Sequence, residues 1–181
     1  YNDYDTPENV AKNYRIFSHA AGIDMSKIVT PKQVHGADVV MIDENHNFRD
    51  ITTPGCGFPA TDGMISNVPG VTLFSFIADC SLIMICDPVN KAIGQCHSGW
   101  RGTVKGISAI TIDMMNKYYG SDPKDLLVTI APSICPECFE VEWDMISEAR
   151  EGFEESEYER IDDRKNELKY QFNLWEANKI K

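Results

Sequence analysis

Residues 82–120 constrain the fold of this chain more than any other stretch. Two apolar runs, 82–86 and 92–96, are separated only by residues 87–91, which open with Asp87-Pro88-Val89-Asn90, a tetrapeptide with turn chemistry. A link that short pairs two strands antiparallel, because a parallel return needs a crossover of about a dozen residues. The second run passes directly into Cys96-His97-Ser98-Gly99-Trp100-Arg101-Gly102-Thr103, which leaves a strand, turns on glycine and enters a helix. Val104, Ile107, Ile110, Met114 and Tyr118 then recur at helical spacing, and Gly120 closes the run. The pattern predicts one long helix with those five residues on its buried face.

Thr6-Pro7-Glu8 has the chemistry of a helix start: a capping hydroxyl, proline at the first position and an acid in the first turn. Val10, Tyr14, Phe17 and Ala21 form one apolar face, and Gly22 supplies the stop. Strands are expected at 38–43, 71–77, 126–130 and 168–172. An amphipathic helix with an acidic outer face is expected at 142–155, and a last helix begins at Leu174 behind the cap Asn173. Residues 45–59 are polar and rich in proline and glycine, and read as a loop. Strands and helices interleave, so the expected class is mixed α/β (α+β), with mixed β-sheets packed between helices in one domain over residues 1–181.

Hydrophobic residues make up 43% of the 181 and charged residues 25%, enough apolar material for a core. The formal net charge of −11 excludes a general nucleic-acid-binding surface, which needs a basic face, but leaves room for one small anion in a local positive pocket. No apolar run reaches membrane-spanning length, so no membrane partner is expected. The charged stretch 154–169 reads as solvated surface. Six cysteines, at 56, 80, 86, 96, 135 and 138, are too few for a disulfide scaffold, and several lie in apolar runs; reduced thiols and a cytoplasmic setting are expected. The chain starts at Tyr1 rather than Met and stops about two turns after Asn173 without a stop signal, as if trimmed at both ends.

Three groups of residues invite chemistry. His97 ends a strand and faces opposite to Cys96, Asp79-Cys80 follows the run 71–77, and Gln33-Val34-His35-Gly36 precedes the strand 38–43. Two imidazoles and one thiolate make a tetrahedral zinc site with its fourth position open, the form of a catalytic zinc centre. Spacing alone leaves the plainer readings standing: a hydrogen-bonded His97, a core Trp100 and a structural ion pair at Arg101. Cys135-Pro136-Glu137-Cys138 has the spacing of a metal or redox pair, but no companion ligands lie near it in sequence, and the pair is expected to be buried thiols.

Taken in order, Gln33-Val34-His35-Gly36, Thr61-Asp62-Gly63, Ala78-Asp79-Cys80, His97-Ser98-Gly99-Trp100-Arg101-Gly102, Ala131-Pro132-Ser133-Ile134 and Cys138-Phe139-Glu140-Val141 make the chain resemble the laccase-domain proteins. These are also called the multicopper polyphenol oxidase or purine nucleoside phosphorylase family. The resemblance runs from about Pro7 to the end. It implies zinc held by His35, Cys80 and His97. It also implies purine nucleoside and methylthioadenosine phosphorylase activities together with adenosine deaminase activity. A purine nucleoside and phosphate are then the expected partners, while the oligomeric state is left open. The expected catalytic residues are Asp79 as acid–base group, Cys80 as ligand and Arg101; the expected phosphate contacts are Ser98, Arg101 and Gly102, on a helix start that favours anions. Family members carry further segments at both ends, and the run here reads Cys-Pro-Glu-Cys where they have Gly-Pro-Cys-Cys.

Three rival readings make different demands. A multicopper oxidase needs two imidazole-rich centres, and four histidines, at 19, 35, 46 and 97, cannot furnish both. Oxidase activity would have to come from one copper in the zinc site. A metal-free hydrolase would use Cys80 as nucleophile and His97 as base. A non-catalytic binding protein would hold a nucleoside without turnover.

Overall fold

A computed structural model describes residues 5–46, 48, 50–52, 57–166 and 168–181. The loop expected at 45–59 therefore lies partly outside the described residues, as does Cys56. Helix α1 (Pro7–Ala21) begins where Thr6 accepts the Asn9 N–H at 3.3 Å, and ends at Gly22 in the left-handed conformation. The remaining elements, in chain order, are β1 (Ile28–Val29), β2 (Val39–Ile42), β3 (Gly63–Ser66), β4 (Thr72–Leu73), β5 (Ser81–Asp87), β6 (Ala92–Ser98), α2 (Trp100–Val104), α3 (Ile107–Tyr119), β7 (Leu127–Ile130), β8 (Glu140–Glu142), α4 (Trp143–Arg150), α5 (Tyr158–Ile161), β9 (Asp162–Arg164), β10 (Lys169–Phe172) and α6 (Leu174–Ile180).

The mixed α/β class holds. Five strands form the main sheet in the order β2-β3-β6-β5-β7, with β2 and β3 parallel and every other pair antiparallel. The β5–β6 hairpin closes through Asp87, as its short link requires. A three-stranded antiparallel sheet, β8-β10-β9, and a parallel pair, β1-β4, stand beside it. One apolar cluster fills the space between the main sheet and α3, including Ile65, Ile83, Cys96, Ile107 and Met115. A second joins the small sheet to α4, α5 and α6 through Ile146, Ile161, Phe172 and Leu174, and Trp100 and Val104 of α2 pack onto it. Helix α2 thus bridges the two halves, directly beside the glycine-rich turn. No helix among the described residues is long and apolar enough to cross a membrane.

Three local expectations are corrected, and one strand was not foreseen. The long helix after Gly102 is two helices, because Gly106 takes a left-handed conformation (φ 73°) between α2 and α3. The break resets the phase: Ile107, Ser108, Thr111 and Met115 are buried, while Tyr118 is 46% exposed. The run 71–77 supplies only the two residues of β4. Beyond them the Gln33 side chain takes both backbone groups of Phe76, donating to its carbonyl at 2.8 Å and accepting its N–H at 3.0 Å. The helix expected over 142–155 stops at Arg150, and the chain passes Val104 at Gly152, where a Cβ would lie 2.7 Å from a Val104 methyl. Finally β3, a strand buried along its whole length in the middle of the sheet, has no counterpart among the sequence expectations. The charged stretch 154–169 is largely exposed in its described part, with Ile161 as the buried exception.

Candidate metal centre

His97 lies one residue from the end of β6, opposite Leu82 of β5, and Cys80 lies immediately before β5. The hairpin therefore brings the imidazole and the thiol to the same end of the main sheet. His35 arrives from the loop between β1 and β2. One ligand atom from each of His35, Cys80 and His97 lies within 4.8 Å of the others. The two imidazoles meet edge to face, ring centres 4.8 Å apart. Among the described residues this is the one group of three or more metal-ligating side chains so gathered.

Asp62, fully buried at the entrance to β3, organises the site from behind. Its carboxylate accepts the backbone N–H groups of Val34 at 3.1 Å, His35 at 3.0 Å and Gly36 at 2.8 Å. It also contacts His97 Nδ1 at 2.8 Å. A carboxylate only accepts, so Nδ1 carries the hydrogen and Nε2 offers its lone pair to a metal. The three N–H groups form a nest, and His35 itself sits in the left-handed region (φ 60°), a conformation that costs a non-glycine residue about 1–3 kcal/mol. Burial alone would raise the Asp62 pKa. The hydrogen bonds from His97, Gly36, Val34 and His35 outweigh it and hold the carboxyl below its ordinary value. Sequence reasoning placed Thr61-Asp62-Gly63 in a family pattern but gave Asp62 no role; an acid followed by Gly63 and the short apolar Met64-Ile65 pair was the available signal.

The donor set fits a borderline-soft divalent ion. Thiolate and imidazole suit zinc and also copper, and three protein ligands leave a fourth position for water or substrate. Burial pushes the Cys80 thiol up, with Asp79 and Asp62 adding to the effect. A cation at the site would reverse that balance and deprotonate the ligand. Of the other histidines, His19 lies on α1 and His46 packs against Phe48 and Phe58.

The glycines of the turn are fitted to the centre. A Cβ on Gly99 would lie 3.0 Å from both Cys80 Sγ and His35 Cδ2, and one on Gly102 would lie 2.9 Å from the Gly36 carbonyl. Gly102 is buried, so it serves close approach between α2 and the His35 loop. Ser98 is turned inward as well: its hydroxyl donates to Asn178 Oδ1 at 2.6 Å and lies 2.9 Å from Thr103 Oγ1, tying β6 to α6. Ser98, expected to donate to phosphate, is fully buried, with its hydroxyl engaged in these contacts. Arg101 is exposed, its guanidinium 4.2 Å above its own Trp100 ring, and makes no ion pair among the described residues. Asp79 is exposed beside Cys80, and its backbone carbonyl accepts the Ile134 N–H at 2.9 Å. Cys135 and Cys138, expected to be buried, are both exposed and free.

A mixed sheet with three side chains able to ligate one metal gathered at its hairpin end defines the class of domain. The chain belongs to the multi-copper polyphenol oxidoreductase laccase family, whose model matches residues 1–181. It is 30% identical over 179 residues to a purine nucleoside phosphorylase of Bacteroides thetaiotaomicron, an alignment covering 97% of this chain and 65% of that one. It is 31% identical over 120 residues to adenosine deaminase RL5 from an unknown prokaryotic organism, covering 66% of this chain and 45% of that one. The crystal structure of YlmD from Geobacillus stearothermophilus superposes with a TM-score of 0.89 at 26% identity, over 97% of this chain and 65% of that one. The chain spans 28% to 65% of the length of the curated relatives it matches.

Proposed function

We propose that the chain carries the metal centre of a zinc-dependent purine nucleoside enzyme, acting by phosphorolysis of purine nucleosides and by deamination of adenosine. The carrying observation is the meeting of His35, Cys80 and His97 within 4.8 Å, backed by Asp62. Relatives named for both activities support the substrate class. Bound zinc would supply a Lewis acid and a water acidified toward neutral pH.

The chain's own residues take the remaining tasks. Asp62 keeps the Nε2 of His97 free and holds the His35 loop in its strained conformation. Arg101, exposed and unpaired with any acid among the described residues, takes the phosphate, for which its planar fork is suited. In phosphorolysis a phosphate oxygen bonds to the ribose C1′ as the bond to the purine nitrogen breaks, and a proton must reach the leaving base. Asp79 is placed beside Cys80 with its carboxylate exposed, and is assigned that proton and the corresponding one in deamination. Asp62 is unsuited to it, because four donors already occupy its oxygens. A small anion and a nucleoside are compatible with the acidic chain because the local positive groups, not the net charge, face the ligand.

The test is chromatography of the purified protein incubated with adenosine and phosphate. Adenine reports phosphorolysis and inosine reports deamination, and both are expected to disappear with a chelator and in His35→Ala. Zinc content unchanged in His35→Ala, measured by elemental analysis, would refute the ligand set. Product that persists after exhaustive chelation and is blocked by iodoacetamide favours the metal-free cysteine reading. Nucleoside bound without turnover favours the binding-protein reading.

A further inference from the structure

Cys135-Pro136-Glu137-Cys138 differs from the other cysteines among the described residues in holding two that are both exposed and close in sequence. Cys135 caps a single 3-10 turn, Pro136–Cys138, and its carbonyl accepts the N–H groups of Cys138 at 3.0 Å and Phe139 at 3.1 Å. That turn sets Cys138 a single 3-10 turn after Cys135, on the same short loop, and the neighbouring Cys138 side chain pushes the Cys135 thiol above its ordinary range. The turn is anchored around the pair. The Ile134 N–H donates to the Asp79 carbonyl at 2.9 Å, Gln171 Nε2 to the Glu137 carbonyl at 2.9 Å, and the Phe172 N–H to the Phe139 carbonyl at 3.0 Å. The thiols are thus held near each other before any bond joins them. Among the described residues no third donor completes a metal cluster around them. Both thiols are exposed, which leaves a small reagent free to approach them.

We propose that Cys135 and Cys138 are a dithiol redox site that exchanges with low-molecular-weight disulfides and closes to an intrachain disulfide. One cysteine, as thiolate, attacks a sulfur of the reagent; the reagent's S–S bond breaks, and the departing thiolate takes up the proton the cysteine gave. The second cysteine loses its proton and attacks the protein-side sulfur of the mixed disulfide, expelling the second small thiol, which takes that proton. Two protein thiols are oxidised by two electrons, and one reagent disulfide is reduced to two thiols. Proximity makes the second step faster than any intermolecular competitor. The site is independent of the metal-centre reading and of the nucleoside chemistry, although its turn hangs from the carbonyl of Asp79, next to Cys80.

The test uses the intact protein equilibrated with glutathione disulfide, followed by peptide mapping with mass spectrometry. In the wild type the peptide carrying residues 135 and 138 is expected to lose two hydrogen masses and regain them with dithiothreitol. Cys86, exposed and solitary, serves as the control that carries a glutathionyl group. In Cys135→Ser, Cys138 is expected to retain the glutathionyl adduct, at a level about 100-fold above that of the wild type. The proposal is overturned if wild-type Cys135 and Cys138 remain fully alkylatable in excess glutathione disulfide. It is equally overturned if they accumulate glutathionyl adducts without an internal disulfide. Both readings come from the wild type, so they stand whether or not the variant folds.

Discussion

Asp62 accepts four hydrogen bonds, and they serve two different demands of the site. Three hold the His35 backbone in a conformation that residue resists, and the fourth fixes which nitrogen of His97 faces a metal. Asp62→Asn keeps the shape but turns an NH₂ toward one pair of those donors. An amide hydrogen facing Nδ1 would favour the other His97 tautomer, with its hydrogen on Nε2. Metal affinity is expected to fall about 10- to 100-fold, measured by competition with a chromogenic chelator. Each orphaned donor also costs stability, about 1–3 kcal/mol, visible as a lower apo unfolding midpoint. Gly99→Ala separates the two effects. Its backbone (φ −70°, ψ 168°) suits alanine, but the added methyl sits 3.0 Å from both Cys80 Sγ and His35 Cδ2. The expected outcome is an apo midpoint near wild type with metal affinity reduced about tenfold; unchanged affinity would show that the ligands have more room than the geometry implies.

The β5–β6 hairpin is the element that delivers two of the three ligands, and Asp87 closes it. The Ser121 hydroxyl lies near its carboxylate without meeting strict hydrogen-bond geometry. The Asn90 backbone and amide and the Val89 N–H bond it directly, the shortest at 2.8 Å. Together they hold the Asp87 pKa at about 2, against 3.8 ordinarily. The native value is the lower one, so this group's contribution to stability is fully present above the ordinary value. It is lost as pH falls through about 4 toward about 2. Asp62 acts in the same direction. Denaturant midpoints measured from neutral pH down to pH 2 are expected to fall across that window, and the fall should be shallower in Asp87→Asn. Helix α2 makes the matching contact on the other side. Gly102→Ala would drive a methyl to 2.9 Å from the Gly36 carbonyl, and an overpacking cost of about 1–3 kcal/mol is expected in thermal unfolding.

At the scale of the molecule, the centre joins three segments that nothing local connects, so metal binding and folding stability are linked. A metal at 100 times its dissociation constant stabilises the native state by about 2.7 kcal/mol. For a chain of this size the unfolding midpoint is expected to rise by roughly 5–10 °C on zinc addition. The same scan on His35→Ala should show no rise; an equal rise there would place the stabilising metal elsewhere. What was legible beforehand was local. Thr6, Pro7 and Gly22 marked α1, and Asp87 to Asn90 marked the hairpin, because capping and turn chemistry act over a few residues. Strand β3 escaped because Gly63-Met64-Ile65-Ser66 holds only two large apolar residues; its central place follows from pairing with β2 and β6. Ser98 and Gly102 were read as anion contacts from their position in a glycine-rich turn. The partners that draw them inward, Asn178 and the Gly36 carbonyl, are remote in sequence. The sequence by itself determined the ligand types, the start and stop of α1 and the hairpin that carries His97. Only the tertiary structure decided that His35 and Cys80 reach that histidine and that Asp62 stands behind them, because such meetings depend on strand register between segments far apart along the chain.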